Sequence, residues 1–301
     1  MSTADAARMR EFEIIGAPFD GAATLGWPGA RYAPDRIRES LSWMLMRPEN
    51  GSVYSLDTGG LIPASTELLT DGGDSPIIPH DVSASLGAIS ASVTEVVGRG
   101  RVPIVLGGDD SILYAAVRGL HDGTNGSVAV IHFDAHLDLQ SENERQGRLS
   151  QSSGMRRSLE LERVSGSHCI QVGLRHFNFP SSLSFIEEAG PAQITARDFI
   201  ARGWENSVDI ILERIKGADN VFFSFDIDAI DPAYAPGAGA HEPGGITSRD
   251  AIESVKALAP HCDGFAITEV NPLKDHHDMT SNLAAYLAYY FAVFGQQRPN
   301  A

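Results

Sequence analysis

The stretch Asp134-Ala135-His136-Leu137-Asp138 directly follows the apolar run Ser127-Val128-Ala129-Val130-Ile131-His132-Phe133. An apolar run of this length that ends in acidic residues is typical of a buried parallel strand with functional side chains at its carboxyl end. In an extended chain residues i, i+2 and i+4 point the same way, so Asp134, His136 and Asp138 can converge on one point. Two carboxylates and an imidazole at one point indicate a cation site.

A second apolar run ends in the same way. Val221-Phe222-Phe223-Ser224-Phe225 is followed at once by Asp226-Ile227-Asp228. Buried carboxylates without a counter-charge are costly, and a pair of divalent cations would remove that cost. The two runs together therefore predict a two-metal site.

The rest of the chain alternates between predicted strands and helices. Strands are expected near residues 12–17, 53–56, 102–106, 127–133, 168–174, 191–194, 221–226 and 265–269. Helices are expected near residues 34–46, 83–99, 111–120, 155–164, 181–188, 204–217, 247–258 and 280–294. This alternation predicts an α/β fold whose parallel sheet has helices on both faces and its site at the carboxyl ends of the strands. We expect a mobile lead over residues 1–12 and a single catalytic domain over residues 13–301.

The composition of the chain limits the kinds of molecule that the protein is expected to bind. The 301 residues carry a formal charge of -16, which argues against a nucleic-acid or anionic-membrane surface and is compatible with a small cationic substrate. Cys169 and Cys262 lie in apolar runs, so buried free thiols are expected. The chain shows neither a signal-like start nor an apolar run near 18 residues. These features predict a cytoplasmic protein.

Four motifs in order closely resemble the ureohydrolase family, which includes arginase, agmatinase, guanidinobutyrase and formimidoylglutamase. They are G-G-D-D-S at 107–111, D-A-H-L-D at 134–138, S-F-D-I-D-A-I-D-P at 224–232 and E-V-N-P at 269–272. G-W-P-G-A-R-Y-A-P at 26–34 and A-P-G-A-G-A-H-E-P-G-G at 235–245 are similar to the family too. The resemblance covers nearly the whole chain from about residue 13, and it is greatest for the agmatinase-like branch.

The resemblance implies a three-layer α/β/α sandwich with a mostly parallel eight-stranded sheet, two Mn²⁺ ions, and a homo-oligomer that is a trimer or hexamer. The implied metal ligands are Asp110, Asp134, His136, Asp138, Asp226 and Asp228. Asp134 and Asp226 would bridge the two ions. A water between the ions would lose a proton, and the resulting hydroxide would attack an amidine-type carbon. Asp138 would then protonate the leaving amine, and Glu269 would hold the cationic group of the substrate.

The sequence departs from the family pattern at three places near this site. The family motif G-G-D-H-S has a histidine where this chain has Asp110, which puts one of the two metal sites in doubt. Family members resembling arginase and agmatinase have a proton-shuttle histidine directly before a glycine, whereas this chain reads Ser152-Ser153-Gly154. Ser153 is expected to contact the substrate, together with Gln140. His241 is an additional imidazole, and because histidine titrates near neutral pH it is a candidate for proton transfer.

Three functions remain open from the sequence. The first is hydrolysis of a linear guanidino compound, such as agmatine or a guanidino acid, to urea and an amine. L-arginine is disfavoured because Gly173-Leu174-Arg175 is followed by His176 rather than an acid. The second is formimidoylglutamate hydrolysis to formamide and glutamate, for which an arginine in or near the loop would bind carboxylates: Arg145, Arg148, Arg156 or Arg157. The third is a metal-poor, non-catalytic relative.

Overall fold

A parallel sheet of eight strands runs through the computed structural model, which describes residues 9–23, 26–65, 67–142 and 144–298. Its strand order is β4-β1-β5-β10-β9-β6-β7-β8, and every neighbouring pair is parallel. The strands of the chain are β1 (Phe12–Gly16), β2 (Ser52–Ser55), β3 (Gly60–Pro63), β4 (Leu69–Asp74), β5 (Val102–Leu106), β6 (Val128–Phe133), β7 (Val164–Leu174), β8 (Ala192–Thr195), β9 (Asn220–Asp226) and β10 (Gly264–Thr268). Strands β2 and β3 form a separate antiparallel hairpin.

Helices cover both faces of the sheet. They are α1 (Ala33–Leu45), α2 (Val82–Gly98), α3 (Ser111–Gly123), α4 (Gly154–Leu159), α5 (Ser181–Ala189), α6 (Ala196–Arg202), α7 (Trp204–Ile215), α8 (Ser248–Leu258) and α9 (Met279–Phe294). Apolar residues of α1, α7, α8 and α9 pack in one buried cluster, and those of α2 and α3 pack in the other. The predicted three-layer α/β/α sandwich is confirmed.

In strand β6, successive side chains point to opposite faces of the sheet and so contribute to both buried clusters. Its odd-numbered residues Ala129, Ile131 and Phe133 join the first cluster, whereas Val128 and Val130 join the second. A strand buried on both faces needs apolar residues at almost every position, which explains the unbroken apolar run in the sequence. His132 lies on the α2–α3 side by the same alternation.

Several elements differ from the sequence predictions. Strands β3 and β4 and helix α6 were not predicted, α4 is shorter than the expected helix, and β7 begins earlier than expected. Strand β4 is polar, and it is a strand because it pairs with β1 at the edge of the sheet. The predicted mobile lead lies mostly outside the described residues; within it, Arg10 donates hydrogen bonds to the carbonyls of Gly295 and Cys262. The division into a lead and one domain stays a prediction.

Two further expectations concern the cysteines and the membrane. Cys169 and Cys262 are both buried free thiols, as predicted. In the described part of the chain, no helix is both long and apolar enough to cross a lipid bilayer.

Candidate metal centre

The acidic side chains lie together at the carboxyl ends of four neighbouring strands. Strands β5, β10, β9 and β6 are adjacent in that order. Phe133 at the end of β6 pairs with Phe225 of β9, so Asp134 and Asp226 leave the sheet side by side. Asp110 lies at the start of α3 after β5, and Glu269 follows β10. The predicted convergence of these residues therefore follows from strand order and register.

Two groups of side chains could each hold a cation. The ligand atoms of each group lie within 4.8 Å of one another in the described part of the chain. One group is Asp110, His132, Asp134 and Asp138, and the other is Asp134, His136 and Asp228. Asp134 belongs to both groups, which is the position expected of a bridging carboxylate. Asp226 belongs to neither group but lines the same cavity.

The distances in the second group are those of close ligands. Nδ1 of His136 lies 3.1 Å from Oδ2 of Asp228 and 3.3 Å from Oδ1 of Asp134. Nε2 of His136 points away toward Glu242, whose Oε1 is 3.4 Å distant. A carboxylate on the second ring nitrogen is the usual means of fixing the orientation of a metal-binding histidine.

Three buried polar atoms of the first group lack a hydrogen-bond partner among the described residues: Oδ2 of Asp110, Nε2 of His132 and Oδ2 of Asp134. Leaving such atoms unpaired is costly unless something else binds them. A divalent cation fits this donor set, because carboxylate and imidazole ligands suit Mn²⁺ and related ions. The residues present are therefore compatible with a two-metal centre.

The electrostatics of the cluster also indicate a deficit of positive charge. Burial, together with neighbouring carboxylates, raises the pKa of Asp110 and that of Asp226 well above their usual range. Burial and the charge of Asp134 raise the pKa of Asp138 to about 7. Burial acts in the same sense on Asp134, but His132 and His136 outweigh it and lower the pKa of that carboxyl.

These shifts predict how the metal-free protein responds to pH. Because the pKa of Asp138 is about 7 when folded and 3.8 ordinarily, the folded state holds a proton that the unfolded chain releases. Stability should therefore fall as pH rises from about 4 to 7, by roughly 2 to 4 kcal/mol. Thermal melts from pH 5 to pH 8, in a chelator and in excess Mn²⁺, would measure this. Bound cations should remove most of the fall; equal slopes with and without metal would contradict the prediction.

A cavity of about 510 Å³ opens above the carboxylates. Its walls contain most of the predicted site residues: Asp110, His136, Asp138, Gln140, Asp226, Asp228 and Glu269. Asp134 lies beneath them and is fully buried. The loop after β7 completes the mouth with Phe177 and Phe179, which are both exposed.

Besides Asp134, two predicted site residues lie outside this lining, Ser153 and His241. The hydroxyl of Ser153 donates to the carbonyls of Arg148 and Ser150, so it stabilises the loop itself. His241 is exposed, and its Nε2 lies 2.6 Å from the carbonyl oxygen of Pro236. The roles predicted for these two side chains stay predictions, and the cavity geometry adds nothing to them.

Glu269 is held in place by a network that leaves one carboxylate oxygen toward the cavity. Its Oε1 accepts a hydrogen bond of 2.9 Å from the backbone N–H of Asp110, and its own N–H donates to Gly108. Gly239 lies against Oε2, and a Cβ at that position would collide with it. Glu269 and Asp138 both have positive φ, 61° and 49°, which is strained for these residues and common at functional sites.

The sequence predictions missed three residues of this region. His132 shares the strand phase of Asp134, and that period-two relation was the available signal. Glu242 follows His241 in the loop at 235–245 and lines the cavity, where it approaches both His136 and His176. Phe177 had no signal in the sequence, because only the fold brings the loop after β7 to the mouth of the cavity.

The comparison with known families agrees with this geometry. A model of the arginase family matches residues 10–293, which is nearly the whole chain. The chain belongs to the arginase family. The predicted relationship to the ureohydrolases is thus confirmed, and this arginase-family protein is a hydrolase of carbon–nitrogen bonds in amidino compounds.

Individual relatives of this arginase-family protein share about a third of its residues. Proclavaminate amidinohydrolase of Streptomyces clavuligerus is 32% identical over 289 residues, which cover 93% of this chain and 87% of that protein. Formimidoylglutamase of Bacillus subtilis is 33% identical over 280 residues, covering 91% and 84%. The crystal structure of formimidoylglutamase from Bacillus subtilis superposes with a TM-score of 0.85 at 30% identity, over 99% of this chain and 91% of that one.

Proposed function

We propose that the protein hydrolyses a linear guanidino compound without an α-amino requirement, giving urea and an amine. The observation that carries this proposal is the charge of the cavity wall. Six of its residues are acidic, namely Asp110, Asp138, Asp226, Asp228, Glu242 and Glu269. Among the described residues, none of the wall residues is a lysine or arginine. The two cations would compensate the four aspartates, whereas Glu242 and Glu269 belong to neither metal-binding group. These two carboxylates favour a cationic substrate and, among guanidino compounds, a cationic or neutral tail over a carboxylate.

The side chains can be assigned roles in this reaction. Two Mn²⁺ ions, held by the two groups around Asp134 and by Asp226, would lower the pKa of a water and so supply the nucleophile that attacks the amidine carbon. Glu269 would bind the guanidinium through the oxygen that is not held by the backbone of Asp110. Asp138 lines the same cavity and would give a proton to the leaving amine. Gln140 would contact the substrate tail. The homo-oligomer, a trimer or hexamer, stays a prediction.

Hydrolysis of formimidoylglutamate is the competing function, because formimidoylglutamases are among the relatives. That substrate carries two carboxylates, which call for a cationic partner. Arg148, Arg156 and Arg157 instead form ion pairs with Glu160, at 2.6, 3.0 and 2.9 Å, and Arg145 is not among the residues that line the cavity. Since none of these four arginines lines the cavity, we favour the guanidino function of the two.

Carbon NMR of the Mn²⁺-loaded protein with a panel of guanidino and formimino compounds would test the proposal. We expect a urea signal, strongest with agmatine or a guanidino compound with a neutral tail. A formamide signal would instead establish the formimidoylglutamase function. A protein that binds no metal and gives neither product would support the non-catalytic alternative.

His241 offers a separate test of the proton-transfer prediction. Because its ring is exposed and its Nε2 lies against Pro236, we expect His241→Ala to change turnover by less than about twofold. The pH dependence of kcat should also be unchanged. Loss of the alkaline or acidic limb of that profile in His241→Ala would establish His241 as the proton-transfer group.

Phe177 is expected to set the affinity for the substrate tail. Its side chain is fully exposed at the cavity mouth, where it can bury methylene groups of a bound substrate. We expect Phe177→Ala to raise KM about 5- to 10-fold for the longest tails and to leave kcat unchanged. Tyr54→Ala, an exposed aromatic change in the β2–β3 hairpin, is the matched control. An equal effect on short and long substrates would contradict this role.

A further inference from the structure

The first group of the metal centre contains an imidazole that the family motif does not place there. The motif has a histidine at position 110, where this chain has an aspartate. In the fold, Nε2 of His132 lies 3.0 Å from Oδ2 of Asp134 and 3.7 Å from Oδ2 of Asp110. His132 thus places an imidazole next to Asp110, within the same cluster of side chains.

The fold builds this arrangement from two elements. His132 and Asp134 point to the same face of β6 because they are two residues apart in an extended chain. Asp110 approaches from the start of α3, where the hydroxyl of Thr268 donates to its Oδ1 over 2.8 Å. That hydrogen bond uses one carboxylate oxygen and leaves Oδ2 facing His132. All three side chains are buried.

We propose that His132 binds the first of the two cations through Nε2, in place of the imidazole that the family has at position 110. This inference rests on the metal centre of the proposed function. Two adjacent ligands of an octahedral ion at about 2.1 Å are about 3 Å apart, so the separations of 3.0 and 3.7 Å suit one shared ion. The cation would pair the three atoms that otherwise lack hydrogen-bond partners, Nε2 of His132 and Oδ2 of Asp110 and of Asp134.

A purely structural ion pair between His132 and Asp134 accounts for less of the geometry. The pair is close, yet neither facing atom makes a hydrogen bond within the described residues. It also leaves Oδ2 of Asp110 unexplained. A single cation between the three side chains accounts for all of these atoms.

The other ring nitrogen of His132 faces the side-chain amide of Gln171. An imidazole that binds a cation through Nε2 carries its hydrogen on Nδ1 and needs an acceptor there. Nδ1 of His132 lies 3.4 Å from Nε2 of the fully buried Gln171, and the same Nε2 donates a hydrogen bond of 2.7 Å to the carbonyl of Leu137. Binding of a cation through Nε2 of His132 therefore requires the Gln171 amide to turn and to exchange its hydrogen bond to Leu137 for one from Nδ1–H of His132.

Metal content is the first readout. We expect the wild-type protein, loaded with Mn²⁺ and dialysed, to hold two ions, and His132→Asn to hold one or to bind the second at least about 100-fold more weakly. The double variant His132→Asn with Asp110→His should recover the second ion, because it moves the imidazole to the family position. His261→Asn is the matched control, because His261 lies just before β10, at the amino ends of the strands. This variant should hold two ions.

A second measurement does not depend on any variant folding. In the Co²⁺-loaded wild-type protein each metal-bound imidazole gives one strongly shifted ring N–H signal in the proton NMR spectrum. We expect two such signals, from His132 and His136. A single signal, or two tightly bound ions in a folded His132→Asn variant, would overturn the proposal while leaving the proposed function intact. A wild-type protein that binds no metal would overturn both.

Discussion

Asp134→Asn is expected to lower kcat/KM by at least about 10³-fold and to remove both cations. Asp134 is the residue common to the two metal-binding groups, and it is fully buried between His132 and His136. An amide keeps the shape of the side chain but offers neither the charge nor the second anionic oxygen that a bridging ligand needs. The stabilisation that two cations give a transition state is worth several kcal/mol, which corresponds to this loss in rate.

The experiment needs a control that replaces another aspartate close to β6 and β9 but far from the metal centre. Asp219→Asn serves, because Asp219 precedes β9 and accepts a hydrogen bond from the backbone of Ser127 at the opposite end of β6. We expect the control to retain two ions and near-normal kinetics. Metal analysis, circular dichroism and kcat/KM would be measured on both variants. A folded Asp134→Asn variant that keeps two ions and more than a tenth of the activity would contradict a bridging role.

The sequence was sufficient for the parts of this site that lie at strand ends. Asp134 and Asp226 could be predicted because an apolar run fixes the strand and the residue that follows it. The parallel order then brings the carboxyl ends together, whatever the length of the connections. Strand β4 could not be predicted, because Thr70 to Asp74 is polar and becomes a strand only by pairing with β1.

Loop side chains were predictable only in their position along the chain. Ser153 and His241 both follow recognisable motifs, yet the direction of each side chain is set by hydrogen bonds within its own loop, to Ser150 and to Pro236. Glu242, one residue beyond His241, faces the cavity. A one-residue difference decides which side chain reaches the site, and sequence spacing in an irregular loop does not determine it.

Glu269→Gln is expected to lower kcat/KM for a guanidino substrate about 10²- to 10³-fold while leaving both cations bound. Glutamine can still accept the hydrogen bond from the backbone N–H of Asp110, so the side chain should keep its position. What it loses is the negative charge on the oxygen beside Gly239, which would pair with the guanidinium. A charge-assisted hydrogen bond is roughly twice as strong as a neutral one.

Metal content separates this effect from damage to the metal centre. We expect Glu269→Gln to hold two Mn²⁺ ions, because Glu269 belongs to neither metal-binding group. Gly239→Ala is the companion variant: its added Cβ would displace the same carboxylate oxygen without changing its charge, so it should raise KM more than it lowers kcat. A Glu269→Gln variant with unchanged kcat/KM and a full complement of metal would show that the guanidinium is bound elsewhere in the acidic wall, with Asp228 and Glu242 the next carboxylates to replace.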